Sequence, residues 1–166
     1  STNDEAIKLI RSEKYLLGLV STNSQIKGRA TMGKKWISYK GNIFISIFFK
    51  VNLIKIKIEN YLSINAKIIK KILSIYTKKI IKIKKPNDLL IDGKKICGIL
   101  QEVIDHKKEK YLITGIGINT KISPPNKDFK STSLKINSTK KINNKIIIDK
   151  IIKNYDKLIY DINNQN

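Results

Sequence analysis

The sequence predicts an α+β fold in which helices pack on a mixed, largely antiparallel sheet. Three observations support this prediction. The dipeptide Asp92-Gly93, a favoured two-residue turn of a β-hairpin, lies between apolar segments. Apolar residues recur at helical spacing over two long stretches, 53–76 and 147–162. Short β-branched segments lie between these stretches, so we expect hairpins with helices inserted between them.

The chain is predicted to begin with a helix. Thr2 and Glu5 have the spacing of a capping box, so this helix should start at Thr2 and end near Ser12. Strand-forming residues follow on both sides of a polar loop, 24–35, that contains two glycines. The predicted strands are Tyr15 to Thr22 and a pair within Trp36 to Phe49 that turns at residues 40–42.

The rest of the chain alternates predicted helices and strands. The first periodic stretch predicts a helix from Leu53 to Tyr76. Pro86 should end the strand that follows this helix, because proline has no N–H to donate to a central ladder. The second periodic stretch predicts a terminal helix from Ile147 to Ile162. The predicted strands are Ile80 to Lys84, Leu89 to Ile91, Ile96 to Leu100 and Tyr111 to Asn119.

The chain is strongly basic: its 34 Lys and Arg exceed its 13 Asp and Glu, for a formal charge of +21. This charge favours a nucleic acid, an anionic membrane surface or an acidic protein as partner. Nearly all of it is lysine spread along the chain, whereas nucleic-acid readers cluster arginine among stacking aromatic residues. We attribute the charge to the composition of an AT-rich genome and do not expect DNA as a partner. A basic nucleic-acid-binding module is kept as an alternative function.

Length and cysteine content set further bounds. A chain of 166 residues suits one domain with a single core. Cys97 is the only cysteine, so no internal disulfide forms, and we expect a reducing, cytoplasmic location. No stretch of the sequence is long and apolar enough to span a bilayer, and we expect no membrane partner.

The loop of residues 25–36 is the first candidate site. Two glycines bracket a segment whose backbone N–H groups can surround an anion. Arg29 and Lys34 add positive charge, and Trp36 adds a flat apolar face. An ordinary flexible basic loop has the same composition, so this loop alone does not identify a function.

The hairpin around residues 92–93 places one lysine in an unusual position. With a two-residue turn, Leu90 lies opposite Lys95, and Asp88 lies opposite Cys97. Alternation then puts Lys95 on the same face as Cys97, where the surrounding residues are otherwise uncharged. A lysine held there requires an anion, such as a ligand carboxylate or phosphate. A solvated surface lysine is the alternative.

Glycines inside two predicted strands indicate close approach. Gly98 and the segment 115–119, GIGIN, carry glycine where it weakens a strand unless a ligand or another backbone comes close. Asn119 offers an amide at the end of this strand. The segment lacks the third glycine and the following helix of a dinucleotide-binding motif. No catalytic triad and no metal-binding cluster is recognisable, and the only histidine, His106, lies in a basic turn.

Taken in order, these segments resemble the biotin–protein ligase family, also called biotin–[acetyl-CoA-carboxylase] ligase. The resemblance covers residues 1 to about 119. The similar segments are Ser1-Thr2-Asn3 at the start of the family's catalytic domain, GRATMGKKW at 28–36, PNDL at 86–89 with Lys95 and GIL at 98–100, and GIGIN at 115–119.

The resemblance implies the fold of the biotin/lipoate ligase catalytic domain, which is like that of class II aminoacyl-tRNA synthetases. It also implies a two-step reaction. Biotin and ATP give biotinyl-5′-AMP and pyrophosphate, and a lysine of a biotin carboxyl carrier protein then attacks the adenylate. Mg²⁺ is the expected metal, and a homodimer is left open. Lipoate or octanoate transfer, within the same superfamily, is an alternative, although the PNDL and GIGIN segments favour biotin.

The resemblance further implies the roles of individual residues. Lys95 and Arg29 are the catalytic candidates, with Lys95 bridging the biotin carboxylate and the α-phosphate. The biotin-binding candidates are Ser1, Thr2, Asn3, Gln25, Gly28, Arg29, Ala30, Thr31, Lys95, Gly98 and Gly115. The ATP-binding candidates are Lys34, Trp36, Lys84, Asn87, Lys95 and Asn119.

The chain departs from the family pattern in its loop and in its extent. The family loop commonly reads Gly-Arg-Gly-Arg-x-Gly, but here Ala30 and Thr31 take the third and fourth places. We expect Ala30 to restrict the backbone and Thr31, which removes a cation, to slow adenylation or release the intermediate more readily. Some family members also carry an N-terminal DNA-binding domain, and many carry a C-terminal β domain. We expect residues 1–166 to be a single catalytic domain without the former and with the latter absent or truncated.

Overall fold

A computed structural model describes residues 1–53, 56–125 and 129–164 of the chain. Helices and strands alternate along it much as the sequence predicts. In chain order the elements are α1 (Thr2–Arg11), β1 (Gly18–Thr22), β2 (Ile43–Val51), α2 (Ile58–Leu73), β3 (Ile81–Lys84), β4 (Asp88–Ile91), β5 (Lys94–His106), β6 (Glu109–Ile118), α3 (Leu134–Asn137) and α4 (Asn144–Asn164).

The six strands form one sheet in the order β1-β2-β6-β5-β4-β3. Each pair of neighbouring strands is antiparallel, which confirms the predicted α+β class. The centre of the sheet is the long hairpin of β5 and β6, which pairs residues 97–106 with residues 109–118. This hairpin carries the glycines that the sequence singled out.

Helices cover the two faces of the sheet unequally. On one face, α2 and α4 pack over the main core, in which more than half of the buried residues are isoleucine. On the other face, α1 packs over a smaller cluster of Ala6, Ile10, Phe48, Tyr111 and Ile113. A cleft lies on this second face, at the N-terminal end of α1.

A buried polar connection joins the helices of the main core to the sheet. Asn65 in α2 is fully buried, and its Nδ2 donates to Gln101 Oε1 at 3.2 Å and to Thr114 Oγ1 at 3.1 Å. The hydroxyl of Tyr155 in α4 donates to Asn65 Oδ1 at 2.7 Å. Because the Asn65 amide and the Tyr155 hydroxyl both have partners, their burial does not leave them unsatisfied.

Helix α1 is capped one residue earlier than the sequence predicts. The capping box is formed by Ser1 and Asp4, not by Thr2 and Glu5. Both pairs have the required spacing. Thr2 is buried, however, and its hydroxyl accepts a hydrogen bond from Ser46 in β2 at 2.7 Å. This contact with the sheet selects the register of the helix start.

The predicted strand pair within Trp36 to Phe49 is wrong. Only its second part is a strand, β2, whereas residues 36–39 are irregular. Strand β2 pairs with β1 on one side and with β6 on the other. Because both of its edges are occupied, the residues that precede it cannot form a hairpin with it.

The hairpin around residues 92–93 forms as predicted. Both turn residues have positive φ, 49° and 73°, as a type I′ turn requires. Leu90 lies opposite Lys95, also as predicted. A bulge next to Leu90 then shifts the register of the remaining pairs.

This bulge overturns two expectations about the faces of the hairpin. Asp88 lies opposite Gly98, not opposite Cys97. Lys95 does not share a face with Cys97 and Ile99, which pack in the main core. Its Nζ lies instead beside Gly98, 3.2 Å from the position of a Cβ there. The added residue inverts the alternation of side chains, so the lysine faces the cleft.

The helices differ from prediction mainly at their ends. Helix α2 starts at Ile58 and ends at Leu73, inside the predicted 53–76; residues 54–55 of that prediction lie outside the described ranges. Helix α4 contains the whole predicted stretch 147–162. Within the described ranges, none of the helices combines the length and the hydrophobicity needed to cross a membrane.

Candidate active site

The cleft beside α1 brings most of the candidate residues together. It is open to solvent, and the space between its walls, counted together with part of that solvent, is about 430 Å³. Strands β5 and β6 form its floor, the first turn of α1 forms one wall, and the loop of residues 28–36 covers it. The candidate residues that line it are Ser1, Thr2, Asn3, Gln25, Arg29, Ala30, Thr31, Trp36, Asn87, Lys95, Gly98 and Gly115.

Lys95 is a buried cation in this cleft. It is only 9% exposed, and its Nζ lies 2.6 Å from Asp88 Oδ1. The same ammonium lies 5.1 Å from the ring of Trp36 and 4.8 Å from the ring of Phe129. Aromatic faces attract a cation, and the carboxylate supplies the opposite charge. Lys95 is therefore not the solvated surface lysine that the sequence left open as the alternative.

The ring of Trp36 lies against two glycines of the floor. A Cβ on Gly98 would come within 2.6 Å of this ring, and a Cβ on Gly117 within 2.5 Å. The two glycines are partners across the β5–β6 ladder, so they form one continuous flat patch. A group does come close to Gly98, but it is a side chain of the same chain and not the ligand or backbone that the sequence predicts.

The first turn of α1 forms a polar wall. The Thr2 N–H donates to Gln25 Oε1 at 2.9 Å. Asn3 Nδ2 donates to Glu102 Oε2 at 2.6 Å, and Asn3 Oδ1 lies so close to Gly115 that any side chain there would overlap it. Glycine at position 115 therefore makes room for Asn3, one of the predicted ligand-binding residues.

The loop of residues 28–36 is closed by two backbone hydrogen bonds. The Trp36 N–H donates to the Gly28 carbonyl at 3.0 Å, and the Ala30 N–H donates to the Lys34 carbonyl at 2.8 Å. Ala30 has φ −130° and ψ 177°, an extended conformation open to any residue. The expected restriction at Ala30 is therefore absent, because this position does not need glycine.

Arg29 joins this loop to the sheet and to α1. Its Nη1 and Nη2 donate to the two carboxylate oxygens of Glu102 at 2.8 and 2.7 Å, and Nη2 lies 2.8 Å from Asp4 Oδ1. Burial raises the pKa of Asp4, but the hydrogen bonds from Ser1 and the charge of Arg29 bring it below its usual value. Asp4 therefore faces Arg29 as a carboxylate at neutral pH.

A second cavity adjoins the cleft at Trp36. It encloses about 270 Å³, and its lining includes Trp36, Asn119 and Phe129. Two buried polar atoms here, Trp36 Nε1 and Asn119 Oδ1, have no hydrogen-bond partner among the described residues. Buried polar atoms are normally bonded, so this pair is available to a ligand.

Three candidate residues lie outside the linings of both cavities. Gly28 is buried under the carbonyl of Trp36, where it shapes the loop. Lys34 is exposed on the loop, and Lys84 is exposed at the end of the outer strand β3.

Four residues of the site were not among the candidates named from the sequence: Ser46, Glu102, Gly117 and Phe129. Their contacts are distant along the chain; Glu102, for example, lies 73 residues from Arg29. Only Gly117 carried a local signal, because it is the second glycine of GIGIN.

The only cysteine and the only histidine take no part in the cleft. Cys97 is buried in the main core, and burial raises the pKa of its thiol far above the usual value. His106 lies at the end of β5, 3.8 Å from Glu13. Within the described ranges, no group of three or more His, Cys, Asp or Glu residues could hold a metal ion.

The sequence model of the biotin/lipoate A/B protein ligase family matches residues 1–119 of the chain. The chain belongs to this family. The matched region includes the first turn of α1, the loop of residues 28–36, the hairpin of β4 and β5, and β6. Each segment that lines the cleft of this family member thus lies within the match.

Two curated relatives of this family member are bifunctional ligase/repressor BirA proteins. The protein of Bacillus subtilis (strain 168) is 31% identical over 173 residues, and that of Bacillus spizizenii is 30% identical over 169 residues. Each alignment covers 97% of this chain and 51% of the relative. The chain therefore spans about half the length of the curated relatives it matches.

Solved structures of other family members have the same fold. The biotin protein ligase from Aquifex aeolicus, in complex with biotin and ATP, is 25% identical with a TM-score of 0.72, over 92% of this chain and 63% of that one. The ligase from Leishmania major, in complex with biotin, is 26% identical with a TM-score of 0.67. The match covers 82% of this chain and 60% of that one. An archaeal lipoate protein ligase from Thermoplasma acidophilum shares the fold alone, at 10% identity and a TM-score of 0.56, over 74% and 53%.

Proposed function

We propose that this chain is the catalytic part of an ATP-dependent biotin–protein ligase. In the first step, a carboxylate oxygen of biotin attacks the α-phosphorus of ATP, and pyrophosphate leaves with its bridging oxygen. In the second step, the amine of an acceptor lysine attacks the acyl carbon of biotinyl-5′-AMP. An amide forms, and AMP and a proton are released.

The position of Lys95 between the two cavities carries this proposal. Lys95 lines the cleft, and its ammonium contacts Phe129, which lines the adjoining cavity. Trp36 lines both cavities. A ligand in the cleft and a ligand in the second cavity would therefore meet at this ammonium, as a reaction between a carboxylate and a phosphate requires.

The surroundings of Lys95 suit the chemistry of this step. Two anions must come together, and negative charge grows on the phosphate as the new bond forms. A cation that is 9% exposed stabilises this charge more strongly than one in water does. Asp88 holds the ammonium in place without substrate, and its 22% exposed side chain leaves room for the substrate anions to join the pair.

We assign the biotin side to the cleft and the ATP side to the second cavity. The unpartnered atoms Trp36 Nε1 and Asn119 Oδ1 are a donor and an acceptor for the nucleotide. The biotin-side residues are Ser1, Thr2, Asn3, Gln25, Gly98 and Gly115, with Ala30 and Thr31 above them. Asn87 is placed on the ATP side, although its Nδ2 donates to the Ile99 carbonyl at 2.9 Å.

Mg²⁺ would enter this site with ATP. Magnesium is held largely by substrate phosphates and water, with one or two protein carboxylates. Asp88 is the carboxylate beside the proposed phosphate position, so the donor set fits this mode of binding. The metal would offset phosphate charge, while Lys95 orients the reacting oxygens.

The acceptor that we propose is a lysine of a biotin carboxyl carrier protein. The formal charge of +21 suits an acidic acceptor surface. A cytoplasmic location stays a prediction that rests on the single cysteine, Cys97. The assignment of residues 1–166 to one catalytic domain is likewise a proposal.

Calorimetry with biotin, in the absence and presence of ATP, tests the proposed function. We expect heat of binding with biotin and biotin-dependent pyrophosphate release once ATP and Mg²⁺ are added. Lipoate and octanoate, assayed in parallel, should give little pyrophosphate. No heat with biotin in either condition would remove the proposal, and a preference for lipoate or octanoate would move the chain to the other branch of the family.

A further inference from the structure

We propose that Glu102 is a positioning residue, which sets the loop of residues 28–36 over the cleft by clamping Arg29. The clamp is Glu102 together with Arg29 and Asn3. This inference rests on the proposed function for its kinetic readout, but the geometry of the clamp stands independently. In this proposal Arg29, which the sequence predicts as catalytic, instead holds the loop in position.

The hydrogen bonds of Glu102 leave its carboxylate fully engaged. Both of its oxygens accept from the Arg29 guanidinium, at 2.8 and 2.7 Å, in the bidentate arrangement that gives the strongest carboxylate pairing. One of them also accepts from Asn3 Nδ2 at 2.6 Å. The Glu102 side chain is 25% exposed, so this pair is more shielded from solvent than an ordinary surface ion pair.

The clamp connects three segments, and the Arg29–Asp4 pair at 2.8 Å additionally joins two of them, the loop and α1. Glu102 lies in β5 opposite Ile113, at the centre of the sheet. Asn3 lies in the first turn of α1, and Arg29 lies in the loop. The fixed member of the set is therefore the strand, and the loop and the helix start take their positions from it.

The loop has two side-chain anchors, one on each side of its tip. Trp36 is one anchor, because its ring lies on Gly98 and Gly117. Arg29 is the other, through two hydrogen bonds to Glu102 and one ion pair with Asp4. Met32 at the tip is 92% exposed, so the tip itself packs against nothing substantial.

The residues between the anchors are those that cover the proposed reaction site. Ala30 and Thr31 both line the cleft. Loss of the Arg29 anchor would free this part of the cover while the Trp36 anchor remained. The acyl-adenylate reacts readily with water, so a looser cover should weaken retention of the intermediate and raise KM for biotin. The turnover number should change less, because the cation at the reacting atoms is Lys95.

Glu102→Gln tests the clamp, with Glu109→Gln as the matched control. Both changes replace an ion-paired glutamate by its amide, but Glu109 pairs with Lys50 at the far end of β6, outside the cleft. We expect Glu102→Gln to raise KM for biotin by about tenfold and to shorten adenylate retention similarly, with kcat within about threefold of wild type. The control should leave all three unchanged. Unaltered KM and retention in Glu102→Gln would overturn the proposal.

Two further measurements separate the clamp from a general structural role. In Arg29→Gln, the added Glu102→Gln change should have little further effect, because the charge of Glu102 acts through Arg29 and an amide oxygen at position 102 can still accept from Asn3. Additive losses would show that Glu102 acts independently. Hydrogen exchange of a peptide spanning residues 28–36, which needs no substrate, should be faster in Glu102→Gln than in wild type or Glu109→Gln. Equal exchange would overturn the clamp even in an active enzyme, whereas faster exchange in a chain that ignores biotin would leave the clamp and remove only the proposed function.

Discussion

Lys95 and Arg29, the two cations that the sequence predicts as catalytic, are held in opposite ways. Lys95 is 9% exposed, on a strand paired with β4, and its carboxylate partner Asp88 lies across the same hairpin. The Arg29 side chain is 39% exposed, on a loop, and its partner Glu102 lies 73 residues away. The strand fixes its lysine through local geometry, while the loop depends on long-range contacts, among which the bidentate pair with Glu102 is the strongest. Changes at the first should affect the chemical step, and changes at the second should affect binding and retention.

The largest effect is expected for Lys95→Ala. Loss of the ammonium removes the charge that stabilises the reacting phosphate, so biotin-dependent pyrophosphate release should fall by about a hundredfold or more. Circular dichroism should show that the fold persists. Lys94→Ala is the matched control, since Lys94 is the exposed neighbour on the same strand. Full activity in Lys95→Ala would contradict the role assigned to this residue.

Replacing each of the two glycines of β6 by alanine should show which substrate each part of the site binds. A Cβ at Gly117 would overlap the Trp36 ring, and a Cβ at Gly115 would overlap Asn3. Overpacking of this kind typically costs about 1–3 kcal/mol, enough for roughly tenfold in affinity. We expect Gly117→Ala to raise KM mainly for ATP and Gly115→Ala mainly for biotin. The same KM pattern in both variants would argue against two separate sites.

A smaller effect is expected from Thr31→Arg. The family pattern has an arginine at this place, so the change restores a cation next to the proposed acyl-phosphate. Because this cation attracts the adenylate, loss of the adenylate to solvent should slow by about threefold to tenfold. Met32→Arg is the control, because it adds the same charge one residue away at an exposed position outside the cleft lining. Equal rates of adenylate release in wild type and Thr31→Arg would refute the explanation of this departure.

The smallest effect is expected from Ala30→Gly. Ala30 already has an extended backbone, so glycine relieves no strain there. Glycine only raises the conformational entropy of the unfolded chain, which lowers the free energy of unfolding by about 0.4–1 kcal/mol. Steady-state kinetics should stay within about twofold of wild type. A large gain in activity would show that alanine does constrain the loop in the reaction.

The hairpin that carries Lys95 was predictable because residues close together in the sequence determine it. The Asp92-Gly93 turn determines which strands pair, and two positive φ angles follow from it. The bulge beside Leu90 was not predictable. It occurs where the Lys95 backbone pairs with residues 130–132, a segment whose residues show no strand pattern. The inverted face of Lys95 follows from the bulge, which no local pattern in the hairpin indicates.

The loop and its surroundings were predictable only in part. Glycines, basic residues and Trp36 indicated an anion-binding loop, and the order of the segments indicated the family. The residues that hold the loop could not be deduced, because Glu102 looks like any strand glutamate until the sheet brings it to Arg29. The missing strand before β2 has a similar cause: local propensity at residues 36–39 favours a strand, but the sheet leaves no free edge beside β2.

The buried connection from Tyr155 through Asn65 to Thr114 has a consequence for how uniquely the chain folds. A core in which isoleucine is more than half of the buried residues contains many side chains of equal size and shape. Such a core gains nearly the same free energy in several packings of its helices, and uniform cores tend toward fluctuating states. A hydroxyl and an amide that can bond in only one arrangement distinguish these packings. Conformational uniqueness in this chain therefore depends on a few polar atoms within an otherwise repetitive interior.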